Sequence, residues 1–280
     1  MTGTVHRDVT ASGVRLRVAE RGEGPTVLLL HGLFADHTTW DAVGDDLARE
    51  FRVVSPDLPG FGQSEKPPPV RYPYGVEAFA EAIADLHAGL GLDRVAVVGH
   101  GLGGAAAITL AAEHAELVSH LVLVDALCFP AAFGFEQTLA QLPLVGSFVF
   151  RQLWGRTAFH ALFRERMLAA GANVPTARID HYYDVFNSPA ARGSAFATLR
   201  STLDPRAVEA RTTRVKTPTL VLWGRRDRVY PAALGQRLAR RIRGAGFELL
   251  DAGHCPQEER PSEVALVIAR FLRAERPTLA

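Results

Sequence analysis

The sequence predicts an α/β protein with a mostly parallel central sheet flanked by helices and a helical segment inserted late in the chain. Three observations carry this expectation. Apolar runs such as TVLLL (26–30), RVAVV (94–98) and HLVLV (120–124) lack polar alternation, as strands covered on both faces require. Segments with helical spacing of apolar residues separate these runs. From Ala126 to about Ala210 the strand signal stops, and afterwards it returns.

The elements follow in order. Gly13 to Ala19 alternates as a half-buried strand, and Thr26 to Leu30 is a buried one that ends at His31-Gly32. Thr39 to Glu50 places Trp40, Val43 and Leu47 on one helical face. Arg52 to Ser55 is a short strand ending in Pro56-Asp57. Val76 to Leu90 is a helix with Phe79, Ile83 and Leu86 inward. Strand Arg94 to Val98, Ala-rich helix Leu102 to Ala112 and strand His120 to Val124 complete the first part, which ends at Asp125. After the interruption come strand Thr219 to Trp223, helix Pro231 to Arg243, strand Phe247 to Leu250 and helix Pro261 to Ala274. The expected organisation is a core of residues 1–126 and 211–280 with a helical cap over 127–210. Seven of the fifteen Phe lie between Phe129 and Phe163, with Trp154 among them. Half of this stretch reads as ordinary helical core, and the rest as an apolar lid over an apolar pocket.

Composition narrows the function. The 280 residues are 48% hydrophobic and 22% charged, which excludes disorder, collagen-like repeats and a coiled coil. The net charge of +1, without blocks of like charge, argues against nucleic-acid partners and an acidic membrane surface. Cys128 and Cys255 are too few and too far apart for a disulfide scaffold or a zinc site. The N-terminus lacks the apolar segment of a secretory signal, and no apolar run approaches the roughly 18 residues of a membrane span. The expectation is a soluble, cytoplasmic protein without metal or cofactor, its partner a small apolar substrate. Nothing in the sequence sets the oligomeric state.

The informative turn is Gly99-His100-Gly101-Leu102-Gly103-Gly104, between a strand and a helix. It matches the dinucleotide fingerprint G-x-G-x-x-G, and Asp125, 21 positions after Gly104, stands where a ribose-binding acid would. It equally matches the nucleophile elbow G-x-S-x-G, with Gly101 in the serine's place. The turn alone leaves both open. The other strand ends favour the elbow: His31-Gly32-Leu33-Phe34, Asp57-Leu58-Pro59-Gly60, Trp223-Gly224-Arg225-Arg226-Asp227 and Ala252-Gly253-His254. A dinucleotide fold has no need for these, and a nicotinamide-dependent oxidoreductase becomes the weakest reading.

On these motifs the chain resembles the α/β-hydrolase fold superfamily over nearly its whole length. It looks most like the lidded group of epoxide hydrolases, haloalkane dehalogenases, carbon–carbon bond hydrolases and esterases. The resemblance implies a cap after the sixth strand, His254 as general base and Asp227 as the acid that orients it. It implies an oxyanion hole from the backbone N–H groups of Leu33 and Leu102. Asp125 is the alternative acid, although a turn or lid-hinge cap is its plainer reading. Asp57 reads as structural, His100 as packing, and His37, His114 and His181 as surface or lid residues.

The departure from the family pattern is Gly101, which has no side chain for a covalent step. Cys255, beside His254, is expected to point away from the turn and does not replace the nucleophile. Gly101 either replaces a serine in this chain or is native. The first case makes the protein a hydrolase for a small, largely apolar ester, lactone or carbonyl substrate with its nucleophile removed. In the second, the His254–Asp227 dyad acts as a bare general base, as in a lyase or cofactor-free oxygenase. Ligand binding without chemistry is a weaker third reading, because base, acid and oxyanion loop are all present.

Overall fold

The computed structural model describes residues 3–130, 142, 148, 150 and 154–274. The chain opens with a hairpin, β1 (Val5–Ala11) and β2 (Val14–Arg21). There follow β3 (Thr26–Leu30), a 3-10 turn His37–Trp40, α1 (Asp41–Leu47), β4 (Arg52–Pro56) and α2 (Val76–Gly89). Next come β5 (Val95–His100), α3 (Leu102–Glu113) and β6 (Val118–Val124). Between β6 and β7 the described elements are helical: α4 (Arg156–Leu162), a π turn Phe163–Met167, α5 (Thr176–Phe186), α6 (Pro189–Ser201) and α7 (Arg206–Arg211). The chain then completes the sheet with β7 (Thr219–Gly224), α8 (Ala232–Arg241), β8 (Gly246–Leu250), α9 (Pro256–Glu259) and α10 (Pro261–Ala274).

The strands pair in the order β1-β2-β4-β3-β5-β6-β7-β8. β2 is antiparallel to both of its neighbours, and β4-β3-β5-β6-β7-β8 are all parallel. Successive side chains of a strand point to opposite faces, so a run that is apolar throughout needs apolar cover on both. Val27, Leu29, Val98, Val122 and Val124 meet Trp40, Val43 and Leu47 of the α1 segment and Val264, Ile268 and Leu272 of α10. Leu28, Leu30, Val97, Leu121 and Leu123 point the other way, into a cluster with Phe79, Ile83 and Leu86 of α2. Each buried Leu or Val contributes about 1.5–3 kcal/mol, which is why the unalternating runs fix the sheet.

The strand β1 escaped the sequence reading. Its residues VHRDVTA are almost all exposed, because it is an edge strand held by backbone pairing with β2. Counting it, the helical insertion follows the sixth strand. The last insertion helix, α7, spans the 210/211 boundary. It buries Val208 in the core cluster, and the adjoining Arg211 pairs with Glu77 of α2 and Glu113 of α3.

Aromatic rings hold the insertion to the core. Phe34, in the loop after β3, contacts Phe150, Trp154, Phe159 and Phe186 with ring centroids 5.2–6.2 Å apart. Polar contacts add to this along α5. Arg178 pairs with Glu258 and donates to the Thr38 carbonyl, and His181 pairs with Asp36 at 2.8 Å. The aromatic run is thus partly core, as expected, but Phe148 is 60% exposed, and Phe133 and Phe135 lie outside the described residues. Among the described residues no helix is long and apolar enough to cross a membrane.

Candidate active site

The turn after β5 is built by close approach. A side chain at Gly103 would bring its Cβ to 2.5 Å from the Leu30 carbonyl oxygen, and one at Gly104 to 2.5 Å from the Ala126 Cβ. Both glycines let α3 start directly against the ends of β3 and β6. Gly101 differs. It has φ 51° and ψ −112°, a backbone that glycine takes freely and other residues take under strain. Yet a Cβ there would meet only ordinary contacts, with His254 Nε2 at 3.7 Å and the Gly32 Cα at 3.8 Å. A Cβ at 101 would thus be accommodated on the side facing His254, unlike one at 103 or 104.

His254 sits in the loop between β8 and α9. Its backbone N–H donates to the Met167 carbonyl of the insertion at 2.7 Å. Its Nδ1 lies 2.9 Å from Asp227 Oδ2, and the two side chains are 6% and 0% exposed. Asp227 follows β7, and its Oδ1 accepts the N–H groups of Val229 at 2.6 Å and Tyr230 at 2.9 Å. Burial works to raise the Asp227 pKa, but the charge and hydrogen bond of His254 outweigh it, and the carboxyl titrates below its usual range. His100 lies behind His254, its Nε2 donating to the His254 carbonyl at 2.7 Å. Burial, reinforced by the neighbouring imidazole, pushes the His100 pKa down to about 3, so it stays neutral.

The loop after β3 is locked by His31. Its Nδ1 donates to the Gly32 carbonyl at 2.8 Å, and its Nε2 accepts the Leu58 N–H at 3.0 Å. Burial lowers its pKa and keeps this neutral form. The lock sets Leu33 and Phe34 at the rim of a cavity of ≈ 90 Å³ that also reaches Gly101, Leu102 and His254. Leu102 is the first residue of α3, and no intrahelical acceptor exists for its N–H. Leu33 and Leu102, the two residues named by the resemblance, thus line the same cavity as Gly101.

Further cavity residues come from the insertion and had no motif to announce them: Leu162, Arg166, Met167, Thr198, Leu199 and Thr202. Tyr230 is another, its ring against His254 with centroids 5.3 Å apart. The helical spacing of 198, 199 and 202 was the one available signal, and an inward face cannot be told from a core face by spacing.

Several expectations change. Asp125 is fully buried and accepts the Gly224 N–H at 3.0 Å, so it is closed to a ribose, and Gly103 and Gly104 are filled by β3 and Ala126 rather than left for a pyrophosphate. The dinucleotide reading fails on this geometry. His37 is not a surface residue: it is 3% exposed and pairs with Asp57 at 2.8 Å. Asp57 also accepts the N–H groups of His37 and Gln63, a turn-fixing role. His181 is 40% exposed, on an insertion helix, and His114 is a half-buried partner of Glu81. Cys255 is buried, and burial raises its thiol well above the ordinary value.

Comparison with known proteins supplies the family. The alpha/beta hydrolase fold family matches residues 25–261. An uncharacterized protein of Mycobacterium tuberculosis is 32% identical over 96% of this chain and 81% of its own length. Epoxide hydrolase 3 of Xenopus tropicalis is 30% identical over 94% of this chain and 76% of its own. Among solved structures, a thermophilic esterase from Thermogutta terrifontis superposes with a TM-score of 0.81 at 28% identity, covering 96% of this chain and 98% of the esterase. The sheet order, the helical insertion after the sixth strand and the extent of these matches lead to one conclusion: the chain belongs to the alpha/beta hydrolase fold family.

Proposed function

We propose that the protein acts on a small, largely apolar ester, lactone or carbonyl substrate, with His254 as general base and Asp227 as the residue that holds it. The observation that carries this is the gap of side-chain size between Gly101 and His254 Nε2. In a serine-bearing relative that gap would hold the nucleophile; here it is room for a water molecule. His254 Nε2 takes a proton from the water as its oxygen bonds to the substrate carbonyl carbon. The carbonyl electrons move onto oxygen, and the N–H groups of Leu33 and Leu102 receive that charge. Collapse breaks the bond to the leaving alcohol, which takes the proton from His254. The mostly apolar lining supports an apolar substrate, and the segment between β6 and β7 serves as the cap. The family resemblance and the hydrolase relatives support the hydrolytic class.

The test is Gly101→Ser, assayed on short aryl esters. A restored hydroxyl beside His254 is expected to raise turnover by about 10²-fold or more. Equal turnover in both proteins, with Gly101→Ser folded, counts against the hydrolytic reading. The same gap favours one second reading, in which His254 takes a proton from the substrate itself in a lyase or cofactor-free oxygenase reaction. In that case the added serine blocks rather than speeds the reaction.

A further inference from the structure

We propose that Asp125 and Asp227 form a carboxyl pair sharing one proton, and that Asp125 is thereby a positioning residue for the His254–Asp227 couple. The positioning role rests on the general-base reading of His254; the shared proton does not.

Asp125 ends β6 with φ 43°, a left-handed backbone that non-glycine residues take under strain. Its N–H donates to the Leu222 carbonyl, and its Oδ1 accepts the Gly224 N–H at 3.0 Å. Its Oδ2 is buried and finds no donor among the described residues. A carboxylate oxygen left this way is costly. What lies beside it is another acid and its base: Asp125, Asp227 and His254 each place a polar atom within 4.8 Å of the others.

Two buried carboxyls in contact do not both ionise. The surroundings decide which keeps the charge. Asp227 has a donor for each oxygen, two backbone N–H groups on Oδ1 and His254 on Oδ2. Asp125 has one. Burial first, then the charge of Asp227, push Asp125 well above the ordinary carboxyl range, and Glu259 adds to this. Cys255, nearby, is itself kept neutral by burial. A proton on Asp125 supplies the missing partner: its hydroxyl donates to Asp227, the acid that lies within 4.8 Å of it. The Asp227 carboxylate is then held from three sides, by the loop backbone, by His254 and by Asp125.

Infrared spectroscopy of the full chain in heavy water, at neutral to mildly alkaline pH, tests the shared proton. A protonated-carboxyl C=O band is expected in the unaltered protein, lost in Asp125→Asn and retained in Glu259→Gln. No such band, or one that survives Asp125→Asn, overturns the proposal. Absence of the band in the unaltered protein overturns the proposal even if a variant fails to fold.

Positioning is read from the downfield His254 Nδ1–H resonance and from kcat in the Gly101→Ser background. Asp125→Asn retains a donor toward Asp227, so both are expected to persist. Asp125→Leu lacks the donor at similar volume; the resonance is expected to broaden away and kcat to fall roughly tenfold at unchanged KM. An unchanged resonance and kcat in Asp125→Leu overturns the positioning role. A missing band leaves the proposed function standing. A band without esterase activity does the reverse.

Discussion

His254–Asp227 and His37–Asp57 are built almost alike and do different things. In each, an imidazole Nδ1 lies 2.8–2.9 Å from a buried carboxylate, and that carboxylate also accepts two backbone N–H groups. The difference lies on the far side of the ring. His254 turns Nε2 toward the open corner at Gly101 and lines the cavity. His37 packs edge-on against His6 and is no part of that cavity. Pairing with an acid orients a histidine; only access to a substrate-sized space makes the orientation useful for chemistry.

The largest expected effect separates the two pairs. His254→Ala is predicted to lower kcat/KM by about 10³-fold and, because Asp227 loses a buried partner, to cost about 1–3 kcal/mol of stability as well. His37→Ala is predicted to leave kcat/KM within a few-fold and to cost about 1–3 kcal/mol of stability, because Asp57 loses a buried partner. Ester kinetics and thermal melts check both, and a kinetic collapse in His37→Ala would erase the contrast.

A smaller effect sharpens the claim about open space. Gly101→Ala meets room for its Cβ and suffers mainly the positive φ, a cost of about 1–2 kcal/mol. Gly103→Ala drives its Cβ against the Leu30 carbonyl and should cost more, about 2–3 kcal/mol. Denaturant unfolding ranks the two, and the reverse order would deny that a side chain has more room at Gly101 than at Gly103.

The smallest effect concerns a third pair, His181 of α5 with Asp36 of the core. The hydrogen bond to Asp36 raises the His181 pKa despite the opposing burial. Burial works against Asp36, yet His181 and Thr38 hold it below the usual carboxyl range. The raised histidine gives stability that is complete below its ordinary value and lost as pH rises through the folded value. The lowered acid gives stability present above its ordinary value and lost as pH falls. The pair therefore contributes most between the ordinary carboxyl value of 3.8 and the ordinary imidazole value of 6.5, and fades as pH rises above the latter. For a pair this exposed the contribution is about 0.2–1 kcal/mol. The melting difference between the unaltered protein and His181→Gln is predicted to be about 1–3 °C near pH 5.5 and to shrink toward pH 9. A difference that grows with pH would place the stabilising contact elsewhere.

These pairs also show where the sequence stops being legible. Asp227 and His254 could be named because their strand-end motifs match the family that the chain resembles, and strand ends in a parallel sheet converge on one edge. His37 carried no such mark, and its burial came from the loop after β3 folding onto the Asp57 turn. The exposed edge strand β1 left no apolar pattern to read. The insertion was recognisable as helical, yet which of its residues face the cavity depended on how it docks onto Phe34 and Glu258.

The sequence by itself determined the buried parallel strands and the helices that cover them, because backbone periodicity and burial on two faces leave few other solutions for such runs; elbow, acid and histidine were named through the family that their motifs resemble. Tertiary structure alone decided the rest: that a side chain's worth of space remains above Gly101, that Asp125 comes to lie against Asp227, and that Arg166, Thr198 and Tyr230 meet at one cavity. The physical reason is range. Periodicity is local to a few residues, whereas a shared proton or a shaped void depends on groups brought together from far along the chain.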